Sequence, residues 1–228
     1  MTMLFKEPVQ IPEDEARWLE LRGWVYQLIA DFLSRPPRMS LIAEWRGRIE
    51  HRNTIPVCRS GKKLKSYLES IPEDNLRRVC YEEADEFERL FSLQRGGITA
   101  CESLYRSRGE GIDGLACLAE IRNEYEENGV VFNKIRGERD DHIALELEFM
   151  AVLSEAMLSK AGLRESCLRL ADVQIGFLES HLLKWAPVFS AELAAATTST
   201  LYGGMAELLE EFLKLDLEHL RIWRSLQG

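Results

Sequence analysis

Few residues in this chain have the type and spacing needed for covalent or metal chemistry. The four histidines, His51, His142, His181 and His219, are far apart. His142 and Glu146 share a helix face at i,i+4 spacing, which could hold a metal or make a simple surface contact. Asp141-His142 reverses the His-Asp order of a helical metal-dependent phosphohydrolase; a di-iron bundle repeats Glu-x-x-His on two helices, whereas here Glu138 precedes His142 by four residues and no second copy exists. Cys58, Cys80, Cys101, Cys117 and Cys167 contain no C-x-x-C pair, so neither a zinc ribbon nor a thioredoxin-like motif is suggested. Cys101 beside Glu102 lacks a basic partner in its motif and reads as a free loop thiol. The phosphate-binding G-x-x-x-x-G-K-[ST] loop, a G-x-G-x-x-G turn and a G-x-S-x-G elbow are all missing. No cofactor is demanded by the sequence.

The elements that would position these residues are helical. Trp18, Leu21, Val25, Leu28, Ile29 and Phe32 lie on one helical face, and Pro36-Pro37 stops that helix. Shorter helices are expected over Leu41–Ile49 and Leu64–Leu68. Pro72, followed by Glu73 and Asp74, opens another, which buries Leu76, Val79, Phe87, Leu90 and Phe91 and ends at Gly96-Gly97. ITACESLYRSRGEGI reads as a loop. Asp113 is an N-cap for a helix with Leu115, Leu118, Ile121 and Tyr125, closed by Gly129. FNKIRGERDD is a second irregular segment. It leads into a helix with the stripe Ile143, Leu147, Met150, Leu153 and Met157, ended by Gly162. A further helix runs through Leu170, Gln174, Phe177, His181 and Trp185 as far as Pro187, and the last spans about Leu201 to Trp223. No convincing period-2 strand or internal repeat is present. The expectation is one all-α domain of eight to ten helices over residues 1–228, with residues 1–12 flexible.

Composition narrows the function. Hydrophobic residues make up 46% and charged residues 29%, an ordinary globular balance. A net charge of −9 argues against nucleic acid, whose phosphates require clustered Lys and Arg, and favours basic partners. The N-terminal sequence lacks the basic and apolar regions of a secretory signal, and no apolar run is long enough to insert stably in a bilayer. The expected location is the cytoplasm, with reduced thiols.

Three segments, in order, resemble the TorD/DmsD/NarJ-like family of molybdoenzyme assembly chaperones. EFERLFSLQRGGITACESLY, ending at Tyr105, is similar to the family's Leu-Phe followed by Pro-Tyr-Glu-Ser-x-Tyr. ERDDHIALELEFMAVL resembles its Glu-Pro-x-Asp-His signature opening a long helix. QIGFLESHLLKWAPVFSAEL resembles its Gln-x-x-Phe-Leu-x-x-His-Leu-x-x-Trp helix. With the opening RGWVYQLIADFLSRPP, the matching blocks run from about Gly23 to Phe212. The resemblance implies an all-helical, non-enzymatic chaperone. It would bind a peptide of a molybdenum-containing oxidoreductase's catalytic subunit, in several relatives the N-terminal twin-arginine signal, until cofactor insertion and folding.

A signal peptide pairs a basic stretch with an apolar one, so its receptor needs carboxylates and apolar area. On the matching positions the resemblance points to Glu102, Ser103, Tyr105, Glu138, Asp140, Asp141 and His142 as peptide-binding residues, with Leu104 and Phe132 adding apolar area. The two irregular segments are expected to meet around one groove. Each residue also has a structural reading: Glu138 and Asp141 as caps of the following helix, His142 as a loop contact, Tyr105, His181 and Trp185 as core. The chain departs from the family pattern at Ala100-Cys101 and at Arg139. A basic Arg139 opposes an arginine-rich ligand unless it turns away or pairs with Asp140. The alternatives are a metal-dependent hydrolase centred on Asp141, His142 and Glu146, and a helical scaffold without chaperone activity. Irregular connections of this length also allow helix exchange into a homodimer.

Overall fold

The computed structural model describes residues 13–52, 58–92, 96–133, 137–160 and 162–227; the expected flexible segment 1–12 lies outside them. The helices are α1 (Glu13–Ser34), α2 (Met39–Arg52), α3 (Arg59–Ser70), α4 (Leu76–Phe91), α5 (Glu102–Gly109), α6 (Gly114–Glu127), α7 (Ile143–Ser159), α8 (Arg164–Phe177), α9 (Leu183–Ala196) and α10 (Thr200–Gln227). A 3₁₀ turn over Glu73–Asn75 leads into α4. A π-helical segment, Leu178–Leu182, joins α8 and α9 into one rod. Among the described residues there is no strand, and the protein is all-α.

The central element is α7. Ile143, Leu147, Phe149, Met150, Leu153 and Met157 are all buried, the pattern of a helix surrounded by others. Its main partner is α1, while α10 packs on α9, α3 and α8. At Gly23 of α1 a Cβ would lie 3.7 Å from Ser154 Cβ, an ordinary packing distance between the two helices. One hydrophobic core runs from Leu19 to Leu220. At its centre Phe149 packs with ring centroids 4.9 Å from Tyr125 and 4.8 Å from Phe177.

A polar lattice crosses this core. The Arg22 guanidinium of α1 pairs with Asp216 of α10 and donates to Gln174 of α8 at 2.8 Å. Tyr26 donates its hydroxyl proton to Asp216 at 2.6 Å. Both ions are essentially inaccessible to water, so their desolvation must be offset by this geometry.

Two expectations change. The expected loop over 98–112 contains α5, whose short sequence carries almost no apolar period because it uses a polar face to build the site. The rod also continues through Pro187 instead of ending there. Proline removes one hydrogen-bond donor and crowds the preceding turn. Trp185, Ala186, Phe189 and Leu193 are buried on both sides of it, and that burial outweighs the local defect.

Candidate functional site

The two segments singled out in the sequence meet. The chain turns back after α4 through Gly97, which donates to Ser92 O at 3.0 Å, and Ile98, which donates to Leu90 O at 2.7 Å. A Cβ at Gly97 would lie 2.6 Å from Leu90 O, so only glycine fits this return without displacing backbone. Residues 98–102 then run alongside 140–143 as a one-residue antiparallel bridge between Cys101 and His142. Glu102 N donates to Asp141 O, and Ile143 N to Ala100 O, both at 2.9 Å. These bonds fix the start of α5 against the start of α7.

Side chains complete the junction. Asp141 accepts from Ser103 N at 3.0 Å and from Arg139 Nε at 2.9 Å. Arg139 also donates to Ser103 Oγ at 2.7 Å. Asp141 therefore caps α5, not the helix that follows it, satisfying an end amide that has no partner within the helix. Its carboxyl is held below the usual range: the bonds from Arg139 and Ser103 outweigh burial, the largest single influence, which acts upward. The cap of α7 is His142, whose Nδ1 accepts from Ala144 N at 3.2 Å. Burial lowers the His142 pKa and keeps the ring neutral. Arg139 pairs with Asp141 rather than with Asp140, because Asp140 is taken by Arg122 of α6.

Behind the junction lies a buried charged cluster. Glu102 accepts from Arg106 at 2.7 Å, one helical turn on, and lies 3.1 Å from His181 Nδ1 in the π-helical segment. Arg106 also donates to Ser180 O at 3.1 Å. The widened turn carries His181 to Glu102 and the Ser180 carbonyl to Arg106, as π-bulges at functional positions commonly do. Glu146 accepts from Trp185 Nε1 at 3.1 Å, and no donor reaches its Oε1. Burial, then the charge of Glu102, pushes the Glu146 pKa well above the carboxylate range. Both influences favour its protonated form.

Thus Glu102, Ser103, Asp140 and Asp141 are brought together but are buried, their polar groups engaged within the protein. Tyr105, partly buried, stacks beside Trp185 at 5.3 Å and donates to Glu192. Glu138 and His142 are partly accessible, and Arg139 is 46% exposed. Phe132 packs edge-on against Tyr125, and Leu104 is partly buried. Sequence reasoning missed Arg106 and the acid role of Glu146. The i,i+4 spacing of Glu102 and Arg106 was the available signal; the burial of Glu146 had none, since a lone glutamate on an apolar helix face usually points to solvent.

The metal-hydrolase alternative is corrected by this geometry. Asp141 is engaged by Arg139 and Ser103, His142 Nδ1 by Ala144 N, and Glu146 Oε2 by Trp185. Among the described residues no group of three or more His, Cys, Asp or Glu side chains converges as a metal site would require. No helix of the described residues is long and apolar enough to cross a membrane.

Fold and site together define an all-helical protein in which the chemistry-bearing side chains of this junction are spent on joining helices. The nitrate reductase delta subunit family matches residues 55–191. The chain is 33% identical to the chaperone protein TorD of Vibrio atlanticus over 215 residues, covering 91% of this chain and 98% of that protein. It is 28% identical over 208 residues to the perchlorate reductase assembly chaperone protein of Dechloromonas aromatica, covering 87% and 89%. It is 35% identical over 132 residues to the chlorate reductase assembly chaperone protein of Ideonella dechloratans, covering 55% and 66%. No solved structure matches. The chain belongs to the TorD/NarJ-like family of molybdoenzyme assembly chaperones.

Proposed function

We propose that the protein is a cytoplasmic maturation chaperone that holds the N-terminal peptide of a molybdoenzyme's catalytic subunit until cofactor insertion and folding hide that segment. It is not an enzyme; the relatives are named chaperones. The observation that carries the reading is the similarity to TorD over almost the whole of both chains. The junction supports it with a division of labour. Buried Glu102, Ser103, Asp140 and Asp141 act as the frame, and the more accessible Tyr105, Glu138 and His142 are the groups offered to the peptide. Because Arg139 is neutralised by Asp141, it does not turn the face basic. Release requires only that the unloaded client bind more tightly than the loaded one.

The test is calorimetric titration with N-terminal peptides of molybdoenzyme catalytic subunits from the same organism, using the wild type and Glu138→Lys. Saturable binding, several-fold weaker in the variant with an unchanged helical spectrum, supports the reading. Failure of every such peptide to bind the wild type overturns it.

A further inference from the structure

Between residues 143 and 158 of the central helix α7, only Glu148, Val152 and Glu155 are exposed. Their i, i+4, i+7 spacing places them on one stripe. That stripe forms one wall of a groove along the seam with α1. The first stretch, about 370 Å³, runs from Leu158 and Leu19 past Trp24 to Gln27 and Glu148. The second, about 480 Å³, shares Gln27 and Glu148 and continues past Asp31 and the two basic side chains Arg35 and Arg38 to Glu138. From Leu19 to Arg35 the groove follows α1 for about 24 Å, at 1.5 Å per residue.

The chemistry of the first stretch is one-sided. Leu19, Trp24, Ala151, Val152 and Leu158 supply apolar area, Val152 being 38% exposed. The charged groups lining it are Glu20, Glu148 and Glu155, and no basic side chain lines it. Partial burial, and after it the charge of Asp31, raises the Glu148 pKa. An apolar floor with a wholly acidic rim complements a helix bearing an apolar stripe flanked by Lys and Arg. An anionic lipid surface would be repelled by the same rim.

We propose that the α1–α7 groove docks a basic amphipathic helical segment of the client. Its apolar stripe lies on Trp24 and Val152, and its cations face Glu148 and Glu155. This rests on the peptide-binding reading above and extends it: the far end of the groove reaches Glu138, so one peptide spans the junction and the groove.

The test uses the full chain and two kinds of fluorescein-labelled probe. One is the client N-terminal peptide set. The other is a synthetic peptide of about 18 residues with Leu at i, i+3, i+4 and i+7 and Lys elsewhere, alongside its scrambled form. Val152→Arg fills the exposed floor; the double variant Glu148→Gln/Glu155→Gln removes charge and keeps shape. Anisotropy titrations are expected to show binding at least tenfold weaker in Val152→Arg. The double variant is expected to bind several-fold more weakly at low salt, with most of the salt dependence lost. Client peptides that bind the wild type and both variants equally overturn the groove and leave the peptide reading intact. A scrambled peptide that binds as well as the amphipathic one also overturns it. If no client peptide binds the wild type, both proposals fall. A wild-type dimer that Val152→Arg dissociates gives the groove to a second copy and overturns the client assignment.

Discussion

Replacing Glu146 with glutamine should flatten the pH dependence of stability. Glu146 is fully buried, and the charges nearest it, on Glu102 and Asp141, are negative. Its folded pKa lies well above the unfolded value of 4.5. Above pH 4.5 the unfolded chain releases this proton while the folded chain keeps it. The folded state then binds one proton more, so stability falls as pH rises until the folded pKa is reached. Between the unfolded and the folded pKa the slope approaches about 1.4 kcal/mol per pH unit. Glutamine carries no titrating proton, and its Oε1 can still accept from Trp185, as Glu146 does at 3.1 Å. Urea unfolding followed by circular dichroism should therefore show Glu146→Gln gaining on the wild type as the pH rises from 5 to 7. A difference between the two proteins that stays constant from pH 5 to pH 7 would refute the neutral-acid reasoning. So would a variant that loses stability towards pH 7, since that would mean the carboxylate is required.

Two further outcomes are expected. Arg22→Leu leaves Asp216 buried without its cation and should cost about 3–5 kcal/mol in urea unfolding, with much of the loss recovered in Arg22→Leu/Asp216→Leu; a double variant no more stable than the single one would contradict the pairing. Burial, reinforced by Asp141 at Cys101 and by Glu102 at Cys117, pushes both thiols up to about 12. In a disulfide-exchange assay at pH 8 the folded protein should therefore expose only the half-buried Cys80 to rapid reaction, with all five thiols reacting in urea; fast labelling of several thiols in the native state would count against it.

The sequence by itself determined the helices that carry a repeating apolar face. Leu147, Met150, Leu153 and Met157 recur at helical spacing whatever they pack against, Pro36-Pro37 ends α1 locally, and Asp113 caps α6 through Leu115 N at 2.9 Å. These depend on residues within a turn or two, so a linear reading can recover them. The ordered Leu-Phe, Glu-Ser-x-Tyr, Asp-His and His-Leu-x-x-Trp blocks likewise pointed to the family before any contact was known. The tertiary structure decided what each polar group does. Asp141 could cap either neighbouring helix, and Arg139 could pair with either aspartate. The choice follows from a bridge between Cys101 and His142, forty-one residues apart in the numbering, which no local rule encodes. Glu146 and Glu148 are two positions apart on one helix, yet the first is a fully buried carboxyl with a raised pKa and the second is exposed on a groove wall. That difference comes from which side of α7 is covered by its neighbours, because burial and neighbouring charge, rather than residue type, set what a carboxyl group can do.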